Sequence, residues 1–387
     1  MILGGGIAGL YAAHQLLKRN PDRKLIILEK EKKLGGRIHT YKDKQMTVEA
    51  GAGRFSKNHT LLHELLHELH LDKKIIPISS SFEVAEPSSY NLKFILGKII
   101  AFSKIDPIHD LINLSFINYA RLIVSKEEVQ YIEDSFGYYT ELVVMNARDA
   151  IELLLQLNDD FFILKDGLSQ IIDRLVEQLQ LYPNVEIRHE TVVAIEQQNR
   201  QYCIRTNKNT YTTHYCICTI PSNIVKRLAF FRPLAPLLQY ITTAPLCRIY
   251  SILDNKQFKN LPKMTTKSPL RMIIPSTHIV MFYSDNKYAM YWQDLYEKQG
   301  IYGVNKALTY YVKELLDIDI KPKHTKVFYW HDGVGYWTVG AQKEIISKKL
   351  QQPFPNFYMC GEHYSTTFQQ WMEGALETSK KVVDIIQ

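Results

Sequence analysis

Two short stretches decide the fold: Met1-Ile2-Leu3-Gly4-Gly5-Gly6-Ile7-Ala8-Gly9-Leu10, and Leu25-Ile26-Ile27-Leu28-Glu29 beyond it. Met1–Leu3 reads as the end of a short buried strand, and Gly4, Gly6 and Gly9 satisfy G-x-G-x-x-G. Leu10–Leu17 carries apolar residues at helical spacing until Asn20-Pro21 stops it. The second strand, Leu25–Leu28, then delivers the acidic Glu29. Gly4 permits a tight turn, Gly6 lets the backbone approach a pyrophosphate, and Gly9 lets the helix pack close to the sheet. The free amides at the helix N-terminus suit phosphate. Glu29 would accept ribose hydroxyls and repel a 2′-phosphate, which argues against NADP. Strand, glycines, helix, strand and acid in register point to a dinucleotide, although a lone glycine motif is weak evidence. With three residues ahead of the glycines, the sequence leaves open whether this strand is naturally so short.

Working outward, Lys33-Leu34-Gly35-Gly36-Arg37-Ile38-His39-Thr40 places a guanidinium after a glycine pair, where its planar donor fork suits phosphate. Far along the chain, Asn356–Cys360 reads as a strand ending in Gly361-Glu362. Gln370-Trp371-Met372-Glu373-Gly374 then opens a last helix, with Met372, Leu376, Ser379, Val383 and Ile386 on one face.

These blocks, GGGIAGL…LEK…LGGRIHT at one end and YMCGEHY…QWMEGALETS at the other, resemble the FAD-dependent amine oxidases: monoamine, polyamine and L-amino-acid oxidases. Lys165-Asp166-Gly167-Leu168 and the strand Thr191–Ile195 resemble that family's mid-chain segments, so about half the chain is covered. The first block is shared with desaturases, protoporphyrinogen oxidases and sugar mutases. WMEGALE discriminates better. The resemblance implies that Gly4, Gly6, Ile7, Ala8, Gly9, Glu29, Lys30, Gly36, Arg37, Gly53 and Arg54 contact FAD, mainly its ADP half. Val192 would meet the adenine through its backbone, and Gly361 and Glu362 would lie beside the pyrophosphate and ribityl chain. Met372 would offer its amide to the flavin's pyrimidine edge, although a core methionine is the plainer alternative.

By the same resemblance, Trp371 and Tyr336 are the two aromatic walls before the flavin, although aromatics are also ordinary core material. Gly335 stands where monoamine oxidases have a flavin-linked cysteine, so non-covalent FAD is expected. Arg248 occupies the usual position of a lysine that holds water near N5, which leaves oxidase and dehydrogenase behaviour both open. Arg54, in Glu49-Ala50-Gly51-Ala52-Gly53-Arg54, matches a segment that grips a substrate carboxylate. Contact with FAD or a surface ion pair is the alternative.

His63-Glu64-Leu65-Leu66-His67 fits HExxH, with His59 and His70 nearby, which would put two imidazoles on one helix face for zinc. However, Leu62, Leu65, Leu66 and Leu69 form the apolar stripe, and a plain helix without metal is expected.

The 387 residues suggest two or three domains, and their 46% hydrophobic and 22% charged content is globular. The resulting fold class is α/β: a discontinuous Rossmann-like FAD-binding domain with a second α+β substrate-binding domain. The expected FAD pieces are 1–56, 165–233 and 346–387, with 57–164 as the helical part and 234–345 as the sheet part of the substrate domain. No apolar run is long enough to span a membrane, and no basic block suggests nucleic acid. The net charge of +7 hints at an anionic ligand. Five cysteines, an odd count without CxxC or a leader, suggest free thiols in the cytoplasm. Cys216 and Cys218 should share one strand face as small buried hydrophobes. The expected activity is oxidation of an amine or L-amino acid, with dioxygen as acceptor and hydrogen peroxide as product. A desaturase-like or protoporphyrinogen-oxidase-like enzyme, or a flavin binder without turnover, is the alternative. The oligomeric state stays open, a homodimer included.

Overall fold

A computed structural model describes residues 1–106, 110–156, 160–253 and 256–386. Its organising element is a parallel sheet in the order Phe357–Met359, Cys216–Cys218, Ile2–Leu3, Leu25–Glu29, Val185–His189. The first strand has only two residues, yet Ile2 sits opposite both Ile27 and Ile217 at the sheet's centre. Alternation then sends Ile2, Ile27 and Ile217 into one core and Leu3, Leu28, Cys216 and Cys218 into the other. The first core holds the helices Ile7–Arg19, Ser169–Gln180 and Met372–Ile385. The second is covered by an antiparallel sheet of Val192–Gln198, Gln201–Thr206 and Thr210–Thr213, through Ile195, Tyr202 and Ile204. Both cysteines are fully buried and unpaired, and burial pushes their thiols up.

The second region is built on a six-stranded sheet. Its order is Pro322–Trp337, Ile241–Leu253, Ile279–Asp285, Met272–Pro275, Met264–Thr265, Glu83–Val84. Its two longest strands pair antiparallel and carry Tyr336 and Arg248, with Arg248 opposite Phe328. The stretch read from sequence as sheet also contains a long helix, Asn286–Leu316, kinked at Gly300 with φ 62°. Its closely spaced Tyr and Trp residues look like strand formers in sequence. In the structure, Ala289, Trp292, Val304, Leu308 and Val312 pack it onto the sheet's core. Helices Leu92–Ser103, Phe116–Ala120, Lys126–Ser135, Tyr139–Val143 and Ala147–Gln156 form the helical part. The spacing of apolar residues predicts a helix over Asp149–Leu157, of which Leu157 lies outside the described residues. Among the described residues no helix is long and apolar enough to cross a membrane.

Candidate active site

The glycine loop is shaped as its sequence requires. Gly4 has φ 113°, and a Cβ on Gly9 would come within 2.1 Å of the Gly4 carbonyl oxygen, so helix and strand touch there without side chains. Before Gly6 the space is open, with nothing within 4 Å of where its Cβ would stand. Gly36, at φ 58°, faces Gly6 across the loop. Glu29 accepts from the Gly5 amide at 2.7 Å and from Glu31 at 2.9 Å, so it organises the loop as well as ending its strand. The helix Ile7–Arg19, with Ile7 and Ala8 buried in its first turn, has neither a side-chain cap nor a first-turn acid. Its free amides are directed at the open space. Lys30 is exposed beside Glu31, and Val192 lies at a register shift in the antiparallel sheet.

A second glycine, Gly361 at φ 139°, is equally open. The adjoining Glu362 is buried and heavily bonded. Arg37 Nη1 donates to it at 2.5 Å, the Gln370 amide at 2.8 Å and the Gly335 amide at 3.1 Å, and His363 Nε2 lies 2.8 Å away. Burial alone would raise this carboxyl, but the His363 imidazole and the Arg37 guanidinium outweigh it and hold the group well below the usual range. His363 Nδ1 pairs with the Ser222 hydroxyl at 2.7 Å. That order mimics a hydrolytic triad, but Ser222 is fully buried and out of reach of a substrate. A Cβ on Gly335 would lie 3.0 Å from the His363 ring, so the ring occupies the room a side chain would need.

The last helix starts at Met372 with Trp371 as its N-cap and again no side-chain cap. Its acid Glu373 is turned away to accept from the Leu61 and Leu62 amides, both at 2.9 Å. It thereby caps the helix Thr60–Glu68. Two open glycine positions, two uncapped helix starts and a buried carboxylate thus form a cradle fitting a dinucleotide's phosphates and ribityl hydroxyls. These residues come from both chain ends.

Beside the cradle, Phe161 stacks on Trp371 with centroids 5.8 Å apart, and His59 meets Trp371 edge-on at 4.9 Å. The Arg54 guanidinium lies 4.3 Å over Phe161 and 5.8 Å from Trp371, and donates to the Tyr138 hydroxyl at 2.9 Å. Tyr138 touches Tyr283, whose ring lies 5.5 Å from the Arg248 guanidinium. Arg248 is committed to the Glu49 carbonyl at 3.1 Å and fills the space beside Gly53, where a Cβ would meet it at 2.5 Å. Gly53 therefore serves Arg248's seat. Tyr336 is buried, within electrostatic reach of Asp285, Glu141 and Tyr283. Phe161, Tyr138, Tyr283, Glu141 and Asp285 were not legible from sequence, because they carry no motif and converge only through folding; His59 stood out there only as a neighbour of the HExxH run.

Burial, with His63 adding to it, pushes the His59 imidazole down to about 3, so the native state holds it neutral. An unfolded chain takes up that proton near pH 6.5. This contribution to stability is complete above pH 6.5 and is lost as pH falls towards 3. We expect His59→Gln to reduce the loss of urea stability between pH 7 and 4.5 by about 2 kcal/mol; identical slopes for both proteins would refute this.

The HExxH residues do not converge. His63 Nε2 lies 3.2 Å from the Ser56 carbonyl, with its ring edge-on to Phe55, while His67 is solvent-exposed beside Asp72. Among the described residues no group of three His, Cys, Asp or Glu is placed to hold a metal.

The fold and the cradle define a two-domain, dinucleotide-binding α/β protein. Residues 2–69 match the NAD(P)-binding Rossmann-like domain, and residues 108–387 match the flavin containing amine oxidoreductase family. The chain therefore belongs to the FAD-dependent amine oxidoreductases. It is similar to an L-amino-acid oxidase of Crotalus adamanteus, 21% identical over 98% of this chain and 84% of that protein. A mouse L-amino-acid oxidase is 38% identical over 74 residues, which span 19% of this chain and 11% of that protein. Among solved structures, wild-type putrescine oxidase bound to putrescine superimposes with a TM-score of 0.79 at 16% identity, over 100% of this chain and 98% of that one. An Exiguobacterium protein provisionally assigned as a protoporphyrinogen oxidase gives 0.71 at 17%, over 100% and 97%. Both structural likenesses concern the fold.

Proposed function

We propose that the protein oxidises an L-amino acid or amine at the carbon bearing nitrogen, using non-covalently bound FAD. The observation that carries this is the placement of Arg54 against Trp371 and Phe161, beside the cradle. Bound FAD supplies the hydride acceptor at N5. Gly4, Gly6, Gly9, Gly36, Arg37, Gly361 and Glu362 hold it, and the uncapped amide of Met372 favours negative charge at its pyrimidine edge. His363, packed against Gly335, supports the non-covalent reading.

For the substrate, Trp371 and Tyr336 form two walls, and Arg54 grips the carboxylate with its planar fork. Hydride departure needs the amine's free lone pair, and a desolvated chamber flanked by Arg54 and Arg248 disfavours the ammonium form. Arg248 keeps its charge: Tyr250 and Tyr283 outweigh the effect of burial. It orients water without giving up a proton. The product imine hydrolyses to a keto acid or aldehyde and ammonia, with dioxygen reduced to hydrogen peroxide. Unpaired cysteines suit a cytoplasmic setting. We assign 1–56, 165–233 and 346–387 to the FAD domain and the remainder to the substrate domain.

Anaerobic mixing of the yellow protein with amine and amino-acid panels tests the reading. Bleaching by at least one of them is expected, as is release of free FAD on acid precipitation. Bleaching only by a porphyrinogen or polyene would overturn it.

A further inference from the structure

We propose that Glu141 receives a second, distal ammonium of the substrate, so that the site prefers dibasic L-amino acids and diamines to their singly charged counterparts. This rests on the amine-oxidising reading above. Glu141 is only 8% exposed, and its Oε2 has no hydrogen-bond partner. Buried carboxyl oxygens are almost always paired, since an unpaired one is costly.

Local structure does not account for this oxygen. The free amides of Tyr139 and Thr140 are taken by Asp285, at 3.1 and 2.7 Å. The neighbouring cations are engaged elsewhere. Arg54 acts on Glu141 electrostatically, but its guanidinium is bonded to Tyr138 and laid over Phe161. Arg271 directs both terminal nitrogens at the carbonyls of Glu133, Asp134, Phe136 and Thr266, and its unpartnered Nε makes no bond to Glu141. Lys287 sits over the Tyr139 and Tyr288 rings.

Glu141 follows Tyr138 by three residues and is within electrostatic reach of Tyr138, Tyr283 and Tyr336. It thus belongs to the group of side chains that includes the proposed wall Tyr336 and the Arg54 clasp. Burial and Asp285 together hold its carboxyl well above the ordinary range, so it rests as the neutral acid and ionises when an entering cation stabilises the anion. Tyrosine rings nearby favour the same guest. With Arg54 on a carboxylate and Glu141 on a distal nitrogen, a dibasic amino acid would be held at both ends.

The test compares matched substrates on the holoenzyme: L-lysine with L-norleucine, and 1,5-diaminopentane with pentylamine. Each pair differs only at the distal nitrogen. We expect kcat/KM to favour the dibasic member by about 10- to 100-fold, and Glu141→Gln to abolish that preference by lowering the dibasic members towards their singly charged partners. Equal kcat/KM within each wild-type pair would overturn this proposal alone, as would a variant that loses all four substrates in proportion. The wild-type comparison stands even if the variant does not fold. Flavin reduced by none of the four but bleached by another amine or amino acid would overturn this proposal alone, whereas flavin bleached by no amine or amino acid at all would overturn the reading beneath it as well. A preference in the amino-acid pair only would identify the substrate as carboxylated.

Discussion

Arg37→Ala should give a colourless protein that unfolds about 3 kcal/mol more easily than the parent. Arg37 ties the first chain segment to the last, donating to the Gly333 carbonyl at 3.0 Å and to the Glu362 carboxylate. Its removal leaves a buried anion with the His363 ring and two amides, Gln370 and Gly335, as its remaining partners. The His363 contact keeps the cost at the low end of that for a broken buried pair. The proposed role of the same guanidinium in holding FAD implies that affinity for the cofactor falls together with stability. Urea unfolding and the flavin-to-protein absorbance ratio measure the two effects. A yellow variant of parental stability would remove Arg37 from the cofactor site.

Arg54→Ala should raise KM for L-amino acids about 10- to 100-fold, the range for losing a hydrogen bond to a charged group, with little change for simple amines. A merely structural role for Arg54, through Tyr138 and Phe161, would impair both substrate classes alike. Initial rates with phenylalanine and phenethylamine separate the two, because they differ by the carboxylate alone. Unchanged KM for phenylalanine would exclude Arg54 as the carboxylate anchor.

The nucleotide half was legible because its physics is local. Gly4 needs a positive φ, Gly9 needs closeness, and Glu29 follows its strand at fixed distance, so neighbouring letters suffice. The burial of Met372, Leu376, Ser379, Val383 and Ile386 likewise follows from helical period. The chamber was only half legible. Trp371 and Arg54 carry motif context, but Phe161 reaches Trp371 only because the strand Phe161–Leu164 pairs with Phe55–Ser56 and Ile75–Ile78. Closely spaced Tyr and Trp residues also hid the helix Asn286–Leu316. Its aromatic residues follow the helical turn, and several, among them Tyr302 and Tyr310, remain exposed.

The strand order of the parallel sheet has a consequence for biosynthesis. A ribosome delivers Ile2 ahead of Cys216 and Phe357 well after it, and these strands flank Cys216–Cys218 on either side. At about 5–20 residues per second, the Cys216–Cys218 edge waits roughly 7–28 s for its Phe357–Met359 partner. Such an unpaired edge is prone to aggregate while it waits, so the order of synthesis exposes this sheet before its last strand arrives.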